Sequence, residues 1–389
     1  MSGGRWIGAE ERRAGLGARH RLARSHRAAT AEETADAVVG LHATDAATVF
    51  LSAGARLSSP SVAEVERALY DDVTLVRLLC MRRTMFVVST GLAPVVEATH
   101  GRVIAAKERA TLVRHLMEES PSLDEAWLDG AERATLNVLS VLGEATGSEL
   151  SSALPDLRRR ITVFPGTSSE TVQGVATRIL RCLAADGRIR RSRPRGAWTS
   201  SQFRWVVAEP LPALPADAAR AELARRWLAS YGPATEGDLM WWTGWTLGET
   251  RTALAAVDTE EVRIDEGTGL VLTGDSAPAP DVEPWAALLP GLDPTAMGRR
   301  HRDWFLAEEH RALLFDRSGN IGPTVWWNGE IVGGWAQRWD GEIVWRLFDD
   351  RGREPAEAVE REAARLTDWT GTARITPRFR TPLERELSS

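Results

Sequence analysis

The stretch EAWLDGAERATLNVLSVLGEATGSELSSAL, residues 125–154, shows the local pattern on which the fold prediction rests. Its leucines recur at helical spacing, which predicts an amphipathic helix over residues 125–142. A turn over residues 143–147, bounded by two glycines, separates that helix from a short one over residues 148–154. Two helices joined by a tight turn are the start of a helix-turn-helix unit.

The residues that follow complete the unit. A third helix is predicted to run from Val172 through Leu183, and Gly187 is expected to end it as a C-cap. The stretch RIRRSRPRGAWTSSQFRWVV, residues 188–207, then has two strand-like runs around a Pro-Arg-Gly turn. Helix, turn, helix, helix and basic hairpin is the order of a winged helix, whose helix-turn-helix core places its second helix in the major groove of DNA.

A similar order is predicted on the N-terminal side. Thr30 and Glu33 have the capping-box spacing at the start of a helix that is expected to continue through Leu41. A second helix begins at Thr44 or Asp45 and a third at Ser59-Pro60, with proline in its first turn. The apolar runs 75–79 and 85–88, on either side of Met81-Arg82-Arg83-Thr84, predict a small hairpin or wing.

The order recurs once more on the C-terminal side. Helices are predicted over residues 216–231, 239–242 and 247–257, and the runs 262–264 and 270–272 form their hairpin. Beyond a Pro/Asp/Ala linker the pattern changes to strands over residues 312–315, 324–327, 331–336 and 343–348, a helix over 355–366 and a last strand at 374–375. The predicted fold is therefore mainly α with β wings, comprising three tandem winged-helix domains and a β-rich α+β domain. The predicted domains are 1–120, 121–210, 211–278 and 279–389.

Composition limits the classes of protein that fit. The 389 residues are 43% hydrophobic and 26% charged, and no long uncharged apolar run indicates export or a membrane span, so we expect a cytoplasmic protein. Two cysteines cannot build a Cys-rich zinc site, no His/carboxylate spacing indicates a metal, and no cofactor is expected. The net charge of -6 hides two arginine-rich zones, residues 1–30 and 157–196, which indicate a polarised surface.

Several motifs together resemble one family. They are Gly40-Leu41-His42-Ala43-Thr44-Asp45, Met81-Arg82-Arg83-Thr84, Tyr231-Gly-Pro-Ala-Thr235 with Trp241-Trp242-Thr243-Gly244, and Leu288-Leu-Pro-Gly-Leu-Asp293 with Gly329-Glu-Ile-Val-Gly333. In this order they are similar to those of the bacterial winged-helix DNA glycosylases that remove bulky alkylated bases and unhook crosslinks, the azinomycin-resistance type among them. The resemblance implies three winged helices and a β-rich domain around a concave DNA-binding face, and double-stranded DNA carrying alkylated bases as the partner. With this function, we expect a nucleoid-associated monomer.

One motif departs from much of that family. Where many members have Gln-x-Gln or Gln-x-Asp, this sequence has His42 and Thr44, followed by Asp45. The pattern resembles a branch associated with intercalating guanine alkylators of the pluramycin (hedamycin) type. The resemblance therefore implies a monofunctional glycosylase acting on bulky N7-alkylguanine, in DNA repair or self-resistance to an antibiotic.

The chemistry of that reaction suits these three side chains. An N7-alkylated guanine is already cationic, so its departure needs an aimed water and negative charge near the sugar. Asp45 is the candidate carboxylate, His42 the candidate partner for the water, and Thr44 a hydroxyl that positions the water or caps the following helix. On a continuing helix, His42 and Asp45 would share a face. Lys107 is the only lysine, so Schiff-base chemistry on a side-chain amine has a single candidate.

The basic hairpin is the candidate DNA-gripping element. Its predicted DNA contacts, together with one residue near the junction, are Arg188, Arg190, Arg191, Arg193, Arg195 and Arg82. Two other interpretations stay open at this point: a non-catalytic DNA-binding regulator or adduct sensor, and a protein that sequesters an alkylating drug on a tryptophan-rich face. In a purely structural interpretation, Thr44 and Asp45 form an N-cap and His42 is a partly exposed junction residue.

Overall fold

The computed structural model describes residues 4–389, which form helices linked by small antiparallel sheets. The α-helices are α1 Ala9–Arg19, α2 Ala31–Ala37, α3 Ala46–Arg56, α4 Val62–Glu66, α5 Ala93–Val96, α6 Arg102–Glu119, α7 Glu125–Leu142, α8 Gly147–Ala153, α9 Val175–Ala185, α10 Ala216–Tyr231, α11 Glu236–Thr243, α12 Leu247–Ala255, α13 Pro294–Met297, α14 Arg311–Leu314, α15 Arg353–Thr370 and α16 Pro382–Ser388. One π-helical turn continues α4 over Arg67–Asp71, and a second, Glu97–Gly101, joins α5 to α6. Across residues 4–389, every helix is too short or too polar to cross a bilayer.

The strands belong to five sheets in this part of the chain. They are β1 Leu41–His42, β2 Leu75–Leu79, β3 Met85–Ser89, β4 Arg160–Val163, β5 Thr171–Gly174, β6 Ile189–Arg191, β7 Trp205–Val207, β8 Thr259–Ile264, β9 Gly267–Leu272, β10 Ala286–Leu289, β11 Thr324–Trp327, β12 Glu330–Gln337 and β13 Ile343–Leu347. The largest sheet has the order β10-β11-β12-β13 and is antiparallel throughout.

One order of elements occurs three times: helix, short extended segment, two helices, then a hairpin whose second strand pairs with the short segment. In the first occurrence α2 precedes β1, which pairs with β3 of the β2–β3 hairpin. In the second, Ala145 follows α7 and bridges to Trp205 on β7, and in the third, Ala234 follows α10 and bridges to Leu270 on β9. The strand pairings of the predicted hairpins at 75–88, 188–207 and 262–272 are confirmed. The predicted Pro-Arg-Gly turn is only part of a longer loop, residues 192–204, that joins β6 to β7.

Helix α7 has the predicted bounds, whereas four other predictions were wrong. The first helix ends at Ala37, because Val39 and Gly40 adopt positive φ and Leu41 enters strand β1. Val172 lies in β5, which pairs with β4 before α9 begins.

The other two errors concern the C-terminal region. Residues 311–314 form helix α14 instead of a strand. Residues 374–375 are not a strand, because the Ile375 N–H donates to the side chain of Gln337 at 2.8 Å instead of to the backbone of a neighbouring strand.

Helix α3 lies at the centre of the molecule, and all of its residues are buried. One hydrophobic core joins it to α2, β10, β12 and α15. Trp198, from the loop between β6 and β7, also enters this core, with its ring 5.0 Å from Phe50 and 6.0 Å from Trp369. The basic hairpin is therefore fixed to the first repeat and to the C-terminal region instead of extending freely.

A buried ion pair fixes the C-terminal end of α3. Arg56 is fully buried and donates to both carboxylate oxygens of Asp293, at 2.8 and 2.9 Å. Burial alone would raise the pKa of Asp293, but Arg56 and a hydrogen bond from Ser52 hold that pKa below its ordinary value. Thr295 accepts from Arg56 at 2.7 Å and contacts His20 at 3.0 Å. The network leaves α3 little freedom to move, which matters because the candidate site lies at its other end.

Candidate active site

His42 is a buried residue of strand β1. It pairs with Phe86 on β3, its side chain is 4% exposed, and the two rings are 5.1 Å apart. Burial, and then the charge of Arg82, lower the pKa of His42 to about 4. The Nδ1 atom accepts a long hydrogen bond from the Thr44 N–H, at 3.5 Å. The imidazole is therefore neutral at pH 7 and can accept a proton or a hydrogen bond.

Two sequence-based expectations for His42 were wrong. We expected it to share a helix face with Asp45, but His42 is in a strand and Asp45 lies just before helix α3. The structural interpretation expected a partly exposed histidine, whereas its ring is buried. Both errors have one cause, because the turn at Val39-Gly40 converts the expected helix into a strand that pairs with β3.

Asp45 is the N-cap of α3 and is half-buried. Its Oδ1 accepts from the Ala47 N–H at 3.1 Å, and its Oδ2 accepts from the backbone N–H of Arg378 at 3.0 Å. A carboxylate oxygen has two lone pairs, so each oxygen keeps one for a further partner. Two chain segments thus fix the orientation of the carboxylate without using up its acceptor capacity.

The other two repeats place different residues at the equivalent position. Thr146 and Thr235 cap α8 and α11, and each forms a reciprocal capping box with the acidic residue three positions later. Asp45 has Thr48 at that position, and the Thr48 hydroxyl donates to the Gly291 carbonyl at 3.2 Å instead. The first repeat therefore has a carboxylate where the others use a hydroxyl, and its second hydrogen bond comes from the C-terminal segment.

The space beside Asp45 is small. A crevice of about 10 Å³ is lined by Asp45, Thr48, Gly291, Gln337 and Pro377, among others, which is about the volume that one water molecule needs. A cavity of about 560 Å³ lies elsewhere, lined by residues such as Glu97, Asn137 and Arg188, and touches none of the three junction residues. The crevice is the candidate water site, because the candidate carboxylate forms part of its wall.

Arg82 lies close to the junction, as the sequence suggested. It occupies the turn between β2 and β3 with a φ of 51°, and its guanidinium carbon lies 3.9 Å from the centre of the Trp241 ring. Arg302 lies 4.9 Å from the centre of the same ring. Burial lowers the pKa of Arg82, and its charge in turn helps to keep His42 neutral.

The arginines of the basic hairpin fall into two groups. Those paired with carboxylates are Arg188 with Glu132, Arg193 with Glu66 and Asp71, and Arg195 with Glu149. Among residues 4–389, Arg190 and Arg191 have no carboxylate within ion-pair distance. Arg191 instead lies over Phe203, 4.6 Å from the ring centre. Half of the predicted DNA contacts are thus already neutralised within the protein.

Two residues beside the site were missed by the sequence analysis. Arg378 donates from its guanidinium to the Thr44 carbonyl at 3.3 Å, in addition to its backbone bond to Asp45. Arg77 is 8% exposed and lies 4.7 Å from the centre of the Phe203 ring. A charged residue inside the apolar run 75–79 was a usable signal for Arg77. Nothing local indicates Arg378, because its partners lie more than 300 positions away in the chain.

In residues 4–389 no cluster of three or more His, Cys, Asp or Glu side chains is arranged to hold a metal ion. The junction has a fixed carboxylate beside a water-sized crevice and a buried, neutral imidazole that does not line this crevice. Arg82 lies near the imidazole, and Arg378 lies at the carboxylate.

A sequence model of the AlkZ-like family, described as DNA glycosylase AlkZ-like, matches residues 35–369. The chain belongs to the AlkZ-like DNA glycosylase family. The matched range includes His42, Thr44, Asp45 and the whole basic hairpin, and it confirms the family resemblance that the motifs indicated.

Individual relatives agree with this membership. The chain is 31% identical over 177 residues to an interstrand DNA cross-link repair glycosylase of Streptomyces sahachiroi, over 42% of this chain and 46% of that protein, so the match spans about half of the relative. The solved structure of the Streptomyces sahachiroi DNA glycosylase AlkZ has the same fold, with a TM-score of 0.70 over 95% of this chain and 98% of that chain, at 21% identity.

Proposed function

We propose that this protein is a monofunctional DNA glycosylase that hydrolyses the N-glycosidic bond of bulky N7-alkylguanine in double-stranded DNA. The observation that supports the proposal best is the Asp45 carboxylate, oriented by two backbone N–H groups beside a water-sized crevice, in a chain of the AlkZ-like family. We interpret the three repeats as winged-helix domains, with the β10–β13 sheet as part of the C-terminal domain.

The proposed reaction starts with a substrate that is already activated. N7 alkylation makes guanine cationic, so the base leaves with the electron pair of the C1′–N9 bond and needs no protonation. Asp45 opposes the positive charge that develops on the sugar, and it accepts the proton that the attacking water loses as its oxygen bonds to C1′. Because the carboxylate is fixed before substrate binds, no free energy is spent on orienting it during the reaction.

His42 and Thr44 are assigned supporting roles, because of the three junction residues only Asp45 lines the crevice. The imidazole is neutral and its lowered pKa makes it a weak base, so we assign it a hydrogen-bonding role. The sole lysine, Lys107, is exposed on α6 and outside the junction, which supports hydrolysis without a Schiff base. The product is then an abasic site and a free alkylated base.

Arg82, Arg188, Arg190, Arg191, Arg193 and Arg195 are proposed to contact the DNA backbone. We expect the unpaired Arg82, Arg190 and Arg191 to contribute more than the others, because a paired arginine must give up its carboxylate to bind phosphate.

The decisive test uses plasmid DNA that carries adducts of an intercalating guanine alkylator. Incubation with the protein should release the modified base and create heat-labile abasic sites. Binding without release would instead indicate a DNA-binding regulator. Quenching of tryptophan fluorescence by free drug, without DNA, would indicate a drug-sequestering protein, although Trp242, Trp326 and Trp335 are buried. A panel of methylguanine, methyladenine, crosslinked and bulky adducts would then define the substrate.

A further inference from the structure

Three arginines without carboxylate partners lie near the candidate site. Arg77 and Arg191 lie 4.7 and 4.6 Å from the centre of the same Phe203 ring, so both guanidinium groups contact one aromatic side chain. Arg378 extends from the C-terminal segment that hydrogen-bonds Asp45 and Thr44. In residues 4–389, these three arginines form no ion pair with an acidic side chain, whereas the neighbouring Arg193 forms two.

The electrostatics of Arg191 show that the three charges interact. Burial, and then the charges of Arg77 and Arg378, lower the pKa of Arg191 to about 10. Arg77 is more than nine-tenths buried, and its Nε and one terminal nitrogen have no hydrogen-bond partner. Like charges held together without a counter-charge cost free energy, and such an arrangement is typical of a site that binds an anion.

The elements that carry these groups are well fixed. Arg77 lies on β2 and Arg191 on β6, and Trp198 anchors the loop that follows β6 in the core against Phe50. Arg378 is the exposed member, and its main chain is fixed on Asp45. An anion that reaches Arg378 and Arg191 would therefore be held at a set position relative to the carboxylate.

We propose that Arg191 and Arg378, supported by Arg77, form a binding site for one phosphate of the DNA strand that carries the damaged nucleotide, and that this site places the sugar against Asp45. The inference rests on the proposed function. Two guanidinium groups can supply paired N–H donors to phosphate oxygens, and they would attract the backbone of a strand whose sugar must approach a negatively charged side chain. The phosphate thus offsets the repulsion among the arginines and fixes the register of the strand.

The test measures binding to a short duplex with one abasic-site analogue, for the wild-type protein, Arg191→Gln, Arg378→Gln and the double variant. The matched control is Arg353→Gln, which removes the same charge from a side chain that is 91% exposed on α15. Each site variant should bind about tenfold more weakly. In the double variant the dependence of log affinity on log salt should flatten by about 0.9, as expected for the loss of one phosphate contact, and each single variant should show a smaller change of the same sign. The control should change neither.

A neutral methylphosphonate, placed in turn at each phosphate around the abasic analogue, identifies the contact. At one position it should weaken wild-type binding about tenfold and leave the double variant unaffected, because the two changes remove the same interaction. Equal sensitivity of both proteins at every position would overturn the inference. So would a loss of base release in Arg378→Gln with unchanged affinity and salt dependence, since Arg378 would then act only by holding Asp45. Base release by the wild-type protein, measured in parallel, tests the proposed function separately.

Discussion

Asp45 offers the sharpest test, because a catalytic role and a capping role predict different results for the same substitutions. Asp45→Asn keeps an acceptor for the Ala47 N–H, and Asn caps a helix about as well as Asp. Its amide group cannot also accept from the Arg378 N–H, so one hydrogen bond worth about 0.5–1.5 kcal/mol is lost. Asp45→Thr copies the cap found in the other two repeats and removes the charge as well.

The expected effect on the reaction is larger than the effect on stability. If the carboxylate stabilises the transition state by about 3 kcal/mol, both variants should release base about two orders of magnitude more slowly. The free energy of unfolding should fall by only about 1–2 kcal/mol, and affinity for DNA should be retained. Single-turnover release of the alkylated base, denaturant unfolding and duplex binding are the three measurements.

Thr146→Ala is the matched control for the capping role. It removes the equivalent N-cap in the second repeat and should cost about 1 kcal/mol of stability without slowing base release. If Asp45→Thr or Asp45→Asn turns over at the wild-type rate, the carboxylate is only a helix cap and the mechanism is wrong. If either variant loses DNA affinity along with activity, the substitution has disturbed the surface and the rates say nothing for catalysis by Asp45.

Three further results are expected. His42→Ala should slow base release. Because the pKa of His42 lies at about 4, this imidazole should not titrate near pH 6.5, and the rate of the wild-type protein between pH 5 and 8 should have no step there that disappears in His42→Ala. Arg56→Ala should lower the free energy of unfolding by about 3–5 kcal/mol, since it leaves Asp293 buried and unpaired, and a double Arg56→Met, Asp293→Leu variant should regain most of it. Burial lowers the pKa of His20 to about 3 and of His100 to about 4, so the contribution of these neutral imidazoles to the free energy of unfolding should be complete above pH 6.5. In urea unfolding it should be lost as the pH falls toward 4, by about 1.4 kcal/mol per pH unit for each buried imidazole. An unfolding midpoint that does not change between pH 7 and 5 would contradict this.

Features with local causes were predictable from the sequence. The periodicity of residues 125–142 predicted the bounds of α7, and strand-like runs predicted the three strand pairs, although the β6–β7 connection is much longer than the predicted turn. The cap at Asp45 was also predictable, because a short polar side chain before an apolar helical run satisfies free N–H groups. Local chemistry was misleading at His42, where tertiary pairing with Phe86 determined the conformation.

Features that depend on distant segments could not be predicted. The ion pair of Arg56 joins positions 237 residues apart, and the bond from Arg378 to Asp45 spans 333. The partial neutralisation of the basic hairpin also depends on the folded arrangement, because Glu66, Glu132 and Glu149 come from three different helices. A sequence count of arginines therefore overstated the free positive charge of the hairpin and overlooked Arg378.

The helix-capping and catalytic interpretations of Asp45 are compatible in physical terms. A carboxylate that accepts two backbone N–H groups has a fixed orientation, which is what electrostatic stabilisation of a developing charge requires. A threonine would cap α3 equally well, as it caps α8 and α11, so capping alone does not explain why the first repeat has an acidic residue in contact with the C-terminal segment. The N-terminus of α3 and the backbone of Arg378 together fix the position of one negative charge. The buried ion pair of Arg56 and Asp293 holds the other end of the helix in place.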